Sequence, residues 1–198
     1  MKKLKVIITK DELMEIIREI VNAQDKFIVM ALFNGISGED MVEIRELKVS
    51  DVDFENNTIT LPNRKIKMDA QFMEITKEAI AQRTYLNKSS DSIYATEKFD
   101  FNMDSEYILK SKPTSKNNFG NREMAYQALR TRVKRLGLPV NPKDLIDSGM
   151  IHRLLKIQPV YTVAEVETTL KKLGYKMSAY RVYSLLNEIN DSKYFSKG

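Results

Sequence analysis

Residues 49–69, with the sequence VSDVDFENNTITLPNRKIKMD, alternate between apolar and polar side chains. Alternation with a period of two is typical of strands that are buried on one side only. The pair Asn56-Asn57 supplies a turn signal within this segment. The segment therefore predicts a small antiparallel sheet of three strands, near residues 48–54, 57–62 and 65–68.

The segments on both sides of this sheet have helical periodicity. Thr9 and Glu12 have the spacing of a capping box, which predicts a helix over about 10–22. The apolar run FIVMALF at 27–33 indicates a buried central helix. Three further helices are predicted over 70–87, 121–136 and 144–156. Three more are predicted from their N-caps: a short helix capped by Ser37, a helix that the capping box of Thr162 and Glu165 opens, and a long helix capped by Ser178. Residues 87–121 are predicted to be a long loop with a short strand at 105–110, so the chain is assigned to the α+β class and is mainly α-helical.

Composition excludes several kinds of site. The 198 residues include no cysteine and one histidine, so disulfides, thiol nucleophiles and histidine-rich metal sites are excluded. The start, MKKLKVIITKDE, has too short an apolar run for a signal peptide, and no apolar stretch approaches the roughly eighteen residues that would span a bilayer. We expect a protein of a reducing cytoplasm that uses no metal, no cofactor and no membrane.

Positive charge is concentrated in one part of the chain. Residues 110–135 contain eight cations and one acid, a net charge of +7, which leaves −2 for the rest of a chain whose total is +5. Such concentration suits phosphate recognition, because each neutralised phosphate releases counterions. Ser, Thr and Asn side chains lie between the cations and add neutral phosphate donors. The segment is either a solvated helix face or a nucleic-acid contact, and we favour the contact.

Several motifs, in order, resemble the catalytic domain of the tyrosine recombinases, the phage integrase family. GEDMVEIRELKVSDVDFENNTITL resembles the segment that carries the first catalytic arginine of that family, with Glu43, Leu47, Asp51 and Asp53 in register. ITKDELMEIIREI resembles its opening helix, and YQALRTRVKRLGL the helix before its His-x-x-Arg box. PKDLIDS resembles the box itself, and LKKLGYKMSAYRVYSLL the stretch that leads to the nucleophilic tyrosine. The resemblance covers nearly the whole chain and implies the catalytic-domain fold as one domain over 1–198, without the core-binding domain that precedes it in most members.

The resemblance assigns catalytic roles to positions that hold unsuitable residues. The first arginine corresponds to Asp40, and the histidine and arginine of the box correspond to Lys143 and Ile146. The next histidine corresponds to Asp147, and the histidine of the Leu-Gly-His stretch to Tyr175. A tyrosine near the nucleophile position survives as Tyr183, with Tyr180 as the alternate, one residue out of the usual spacing. The lysine of the sheet corresponds to Arg64, Lys65 or Lys67.

These replacements predict a protein that no longer cuts DNA. Losing one preorganised charge-stabilising donor costs about a hundredfold to a thousandfold in rate, so losing two arginines costs on the order of a million-fold. His152 lies outside the box and is predicted to be a helix-surface or core residue. Tyr180 and Tyr183 are simpler to explain as packing residues of a helix. The chain is therefore predicted to be no enzyme.

The surface around the degenerate centre is predicted to bind double-stranded DNA, as it does in the family. The candidate contacts are cations on the sheet, in the long loop, on the following helix and in the box: Arg64, Lys65, Lys67, Lys112, Lys116, Arg122, Arg130, Arg132, Lys134, Arg135 and Lys143. The chain is similar in kind to the integrase-like repressors that control lysogeny in SPbeta-group Bacillus phages. The first hypothesis is therefore a phage or prophage transcriptional repressor in the cytoplasm of a bacterial host.

Three alternatives stay open at this point. The chain could be an active recombinase that cleaves DNA through Tyr183. Residues 162–189 also have the pattern of a helix-turn-helix with Gly174 at the turn. The third alternative is a protein-interaction module, in which the segment 187–198 packs on another copy of the chain to form a homo-oligomer or the protein binds a protein regulator.

Overall fold

The computed structural model describes residues 7–87, 97–112, 124–158, 161–173 and 178–195. Helices predominate in these ranges, and two small antiparallel sheets accompany them. The helices are α1 (Lys10–Glu19), α2 (Ala23–Phe33), α3 (Val42–Arg45), α4 (Ala70–Ala81), α5 (Tyr126–Arg135), α6 (Pro142–Ile157), α7 (Val163–Lys172) and α8 (Ala179–Phe195). The strands are β1 (Val52–Asp53), β2 (Thr58–Leu61), β3 (Arg64–Lys67), β4 (Thr84–Asn87) and β5 (Glu97–Asp100).

The three-stranded sheet is confirmed, with the strand order β1-β2-β3, but residues 49–51 of the first predicted strand form a 3-10 turn instead. Both pairs are antiparallel, and Ile59 lies opposite Val52 on one side and Ile66 on the other. Ile59 and Ile66 are buried because alternate residues of these strands face the core. The turn between β1 and β2 contains Asn57 with φ of 53°, a left-handed conformation that asparagine tolerates better than most residues.

The first hydrophobic cluster is built around α2, as its all-round apolar sequence predicts. Phe27, Ile28 and Leu32 are fully buried, and Phe27 stacks on Phe72 of α4 with ring centroids 5.6 Å apart. Helix α2 packs against both α4 and α6. The central helix thus fixes the position of α6, which carries the segment PKDLIDS.

The second hydrophobic cluster joins the later half of α6 to α7 and α8. Its fully buried members include Met150 and Leu154 of α6, Val166 of α7 and Val182 of α8. The capping box of Thr162 and Glu165 opens α7 as predicted. None of the helices in the described ranges has the length and hydropathy that crossing a bilayer requires.

Two expectations are corrected in and after α4. The helix predicted over 70–87 ends at Ala81, because residues 84–87 instead pair with β5 in a second sheet. Tyr85 and Phe99 face each other in that pair at 5.1 Å between ring centroids, and such aromatic cross-strand pairs stabilise a sheet. The strand predicted at 105–110 is reduced to a single bridge between Lys48 and Tyr107.

Ser37 does not cap a helix as predicted. Its backbone N–H donates to Glu43 Oε2 at 2.9 Å, and a short 3-10 turn over Glu39–Met41 precedes α3. Asp40 and Met41 both have positive φ, at 50° and 55°. Two consecutive left-handed residues other than glycine are uncommon, and they set the path of the chain at the position of the family's first arginine.

Candidate nucleic-acid interface

The cationic cleft is an open cavity of about 690 Å³ between α5, the start of α6 and α8. We define it by four positively charged lining residues: Arg130 and Lys134 from α5, Lys143 from α6 and Arg181 from α8. Arg130 and Lys134 are four residues apart, so they project from the same side of α5. The buried Leu129 and Val133, on the adjacent side of that helix, attach it to the core, and Val133 also lines the cleft.

One carboxylate, that of Asp144, lines the same cleft in the described part of the chain. It is only 9% exposed, and its Oδ2 accepts a hydrogen bond from Asn141 Nδ2 at 2.6 Å. Asn141 is also the N-cap of α6, since its Oδ1 accepts from the Asp144 backbone N–H at 2.9 Å. The cleft therefore has a positive potential, and an anionic ligand would find donors on three helices.

The segment PKDLIDS, which resembles the His-x-x-Arg box, lies on the first turns of α6, so its side chains point in different directions. Lys143 is exposed and lines the cleft, whereas Ile146 is half-buried and packs on the first hydrophobic cluster. Asp147 is completely buried. The position that the resemblance gives to an arginine is thus an apolar packing position in this chain.

A guanidinium nevertheless reaches the cleft from another helix. Arg181 Nη2 donates to Asp147 Oδ2 at 2.7 Å, and the arginine side chain remains 37% exposed. A charge-assisted hydrogen bond to a buried carboxylate fixes the orientation of the guanidinium group. The sequence prediction missed Arg181, and the signal that identifies it is its contact with Asp147, 34 positions earlier in the chain.

Of the other positions to which the resemblance gives catalytic roles, those in the described residues do not line the cleft. Asp40 is exposed, and its backbone carbonyl accepts from Arg45 Nε at 3.1 Å. Tyr183 is half-buried and packs against the second hydrophobic cluster, as expected of a packing residue, and it is not among the described residues that line the cleft. Tyr180, in contrast, is 75% exposed. Tyr175 lies outside the described residues.

Two arginines of the predicted DNA-binding set are not available at the surface. Arg64 donates to both carboxylate oxygens of Glu43, at 2.6 and 2.7 Å, and to the Gly35 carbonyl at 3.0 Å. Arg132 is 8% exposed, forms an ion pair with the buried Asp25 and lies 4.5 Å from the ring centroid of Tyr85. Both side chains link elements of the fold through ion pairs, so neither is available to contact a phosphate.

The other predicted cations outside the cationic cleft are either exposed or lie beyond the described residues. Lys65, Lys67, Lys112 and Arg135 are exposed but do not line the cationic cleft. Lys116 and Arg122 lie outside the described residues. Among the eight cations of the basic segment, Lys110 is also buried, with its Nζ donating to the carbonyls of Ala79 and Ile80 at the end of α4. Burial lowers the pKa of this lysine.

His152 has a different environment from the one expected. It lies on α6 outside the cationic cleft, half-buried, with its ring centroid 5.9 Å from that of Phe33. Its Nε2 has no hydrogen-bond partner in the described part of the chain, so it is neither a surface residue nor a satisfied core residue. Across the described residues, no cluster of three or more acidic or histidine side chains could hold a metal ion.

Comparisons with known proteins agree with the resemblance noted in the sequence. The chain is 24% identical to the SPbeta prophage-derived uncharacterized protein YopR of Bacillus subtilis (strain 168), over 98% of this chain and 65% of that protein. Its fold matches the crystal structure of XerA recombinase with a TM-score of 0.56 and 16% identity, over 98% of this chain and 65% of that one. The chain thus spans about 65% of the length of both relatives.

The structural match confirms the predicted fold class, which is the fold of the tyrosine recombinases. A family model described as "MrpR, C-terminal catalytic domain" matches residues 7–193, nearly the whole chain. The chain therefore belongs to the MrpR C-terminal catalytic domain family.

Proposed function

We propose that this protein binds double-stranded DNA through the cationic cleft without cutting it, and that it acts as a transcriptional repressor of a phage or prophage. The observation that carries the proposal is the cleft itself, which in the described part of the chain is lined by four cations from three helices and by one hydrogen-bonded carboxylate. Multiple Lys and Arg side chains on one surface are the usual electrostatic footprint of DNA binding.

The positions of the degenerate residues support the absence of cleavage. A phosphoryl-transfer transition state needs preorganised positive charge around the scissile phosphate. Here Ile146 is packed on the core, Asp40 is an acid, and Tyr183 packs against the second hydrophobic cluster. Binding needs none of these groups, because cations at the rim of the cleft can hold backbone phosphates that are never broken.

The phage or prophage origin rests on the relatives, and the role as a repressor is our inference from DNA occupancy without cleavage. The family model that matches the chain is named for MrpR, and the similar protein YopR is described as prophage-derived. A protein of this fold that occupies DNA without cleaving it would block access of other proteins to the site. Operator occupancy is the mechanism that we infer for it.

DNA binding is tested by fluorescence anisotropy with genomic fragments recovered from the native host, at salt concentrations from about 50 to 200 mM. We expect the affinity to fall steeply with salt, and Lys134→Gln to weaken binding to every fragment by a similar factor. Lys77→Gln is the matched control, since Lys77 is an exposed lysine on α4 that does not line the cationic cleft. Binding that is insensitive to salt, or no binding to any fragment, would refute the proposal.

An active recombinase is the second candidate, and the guanidinium of Arg181 in the cleft favours it. That guanidinium could stabilise a phosphorane in place of the missing arginine. Tyr183, two residues later on α8, however, faces a different side of the helix and packs on the second hydrophobic cluster, so cleavage would require that tyrosine to move. A suicide substrate that traps a covalent protein–DNA adduct separates the two candidates. We expect no adduct; an adduct that Tyr183→Phe abolishes would establish cleavage.

We also propose that the C-terminal segment joins copies of the chain into a homo-oligomer on DNA. Helix α8 runs to Phe195, and its described residues Leu186 and Ile189 attach it to the second hydrophobic cluster. We infer that the part of the helix after Ile189 seats on another protomer. Light scattering of the full chain and of a variant truncated after residue 186 tests this, and equal masses for both would contradict it.

A further inference from the structure

A second cavity, of about 180 Å³, lies beside the middle of α6 and shares no lining residue with the cationic cleft. We call it the histidine cavity and define it by its charged and titratable lining residues. They come from four elements: Lys10 at the start of α1, Lys67 of β3, Asp69 before α4, and His152, Arg153 and Lys156 of α6. The end of α2 closes it with Phe33 and Asn34.

Positive charge exceeds negative charge in the histidine cavity. Its single carboxylate, Asp69, pairs with Lys10 and also accepts the Phe72 backbone N–H at 2.9 Å. Lys67, Arg153 and Lys156 form no ion pair within the described part of the chain. Arg153 instead donates to the neutral Asn34 Oδ1 at 2.9 Å. Three cations thus lie around a small cavity whose one carboxylate among the described residues already pairs with Lys10.

His152 adds a polar atom without a partner. Its Nε2 is shielded from solvent and makes no hydrogen bond to any described residue. Burial lowers the pKa of His152, and the neighbouring cations Lys156, Lys10 and Arg153 lower it further, with only Asp69 acting in the opposite direction. A shielded nitrogen without a hydrogen bond is costly, and so is a group of like charges that outnumbers the one carboxylate near it.

We propose that the histidine cavity binds a phosphate group, held by Lys67, Arg153 and Lys156 with His152 Nε2 as a further donor. A phosphate oxygen would satisfy the nitrogen and its charge would offset the three cations. The volume of 180 Å³ sets the size of the ligand, since cavities for drug-sized molecules are about 300–1,000 Å³. The phosphate is either a free anion or one group of a DNA backbone.

Binding of the anion is coupled to protonation of His152. A negative ligand beside an imidazole favours its charged form, so the pKa of His152 rises when phosphate is bound. The groups that face His152 without ligand are Lys10 from α1, Lys67 from β3, Asp69 before α4, and Arg153 and Lys156 on its own helix. Cations outnumber the carboxylate in this set and therefore lower the pKa of His152. A bound phosphate would raise that pKa.

The test uses the fact that His152 is the single histidine of the chain. Its imidazole NMR signals therefore report on this cavity without ambiguity. Sodium phosphate is titrated into the full chain, with sodium chloride at matched ionic strength as the control. We expect a saturable shift of the imidazole signals and a raised pKa of His152 with phosphate alone.

Substitutions locate the binding groups. Lys156→Gln and Arg153→Gln should each weaken phosphate binding by roughly twofold to fivefold, the range for one partly exposed charge. Lys171→Gln on α7 is the matched control, because that exposed lysine pairs with Glu167 away from the cavity. Lys143→Gln should leave phosphate affinity unchanged although it weakens DNA binding, which separates this proposal from the function proposed for the cationic cleft.

The source of the phosphate is identified by a second titration, with duplex DNA that lacks terminal phosphates. A saturable shift of His152 by that duplex identifies the DNA backbone as the source, and a response to free phosphate alone identifies a small anion. Two results would overturn the proposal. One is an equal, non-saturating response to phosphate and chloride; the other is a loss of affinity in Lys171→Gln as large as in Lys156→Gln.

Discussion

Replacing Gly149 with alanine should destabilise the protein strongly, against the usual effect of that substitution in a helix. Within a helix interior, alanine is favoured over glycine by about 0.5–1 kcal/mol. At this position, however, an added Cβ would lie 1.5 Å from the carbonyl oxygen of Phe33 and 2.5 Å from its carbonyl carbon. The obstacle is backbone of α2, which no rotamer change can move.

The magnitude follows from the distance that the helices must separate. Ordinary contact for a Cβ begins at 3.4 Å, so α2 and α6 would have to move apart by about 2 Å at this point. A gap of 0.5–1 Å already forfeits a quarter to a half of the attraction between the atoms that line it. We therefore expect Gly149→Ala to lower the free energy of unfolding by about 3 kcal/mol or more, a large part of the ~5–15 kcal/mol typical of a domain.

Urea unfolding followed by far-UV circular dichroism measures this effect. Gly137→Ala is the matched control, since its Cβ would meet nothing within 4 Å, although its φ of +59° is left-handed. That conformation costs about 1–2 kcal/mol for alanine. A Gly149→Ala protein as stable as the wild type, or more stable than Gly137→Ala, would refute the close approach of α2 and α6.

Three further outcomes are expected. Lys143→Gln should reduce the slope of log affinity for DNA against log salt concentration by about one, whereas Lys171→Gln should leave it unchanged in the same anisotropy titration. The neutral form of His152 contributes stability that is present above its unfolded pKa of 6.5 and is lost as pH falls through the lower folded pKa. The melting temperature of the wild type should therefore fall faster on acidification than that of His152→Gln. Parallel curves of melting temperature against pH would contradict this. Arg181→Met should destabilise the protein by about 1–3 kcal/mol because it removes a partner of the buried Asp147 carboxylate, and adding Asp147→Asn should recover most of the loss in urea unfolding.

Local signals in the sequence were sufficient for much of the fold. The capping box of Thr9 and Glu12 is present at the start of α1, with Glu12 accepting the Thr9 backbone N–H at 2.6 Å. The three-stranded sheet was equally predictable, because alternation over a few residues decides which side chains face the core. Both signals act over short distances along the chain, where sequence spacing and spatial contact coincide.

The second sheet could not be predicted in the same way. Residues up to 87 continue a helical period, but Leu86 donates its N–H to Asn22 Oδ1 at 2.9 Å and its carbonyl accepts from Asn22 Nδ2 at 3.0 Å. Asn22 thus acts as a partner for the backbone of β4 from 64 positions away. Tertiary contacts of this kind override helix propensity, and no pattern within residues 70–87 records them.

The candidate site was predicted only in part, because sequence gives the number of charges and not their availability. The basic segment was identified correctly as a concentration of cations, yet Arg132 and Lys110 within it are buried and hydrogen-bonded. Arg181, outside that segment, lines the cleft instead. Which cations remain for a ligand depends on where carboxylates and helix-end carbonyls lie in the fold.

The salt dependence of DNA binding measures directly how many cations are available to contact phosphates. Each phosphate contact contributes about −0.9 to the slope of log affinity against log salt. The four cations of the cationic cleft therefore account for a slope of at most about −3.6. A steeper slope requires contacts outside the cleft, for which the exposed Lys65 and Lys112 are candidates. Substituting those two lysines should then return the slope to the value for the cleft alone. The buried Arg132 and the paired Arg64 should not add to the slope, because each would first have to break its ion pair in order to contact a phosphate.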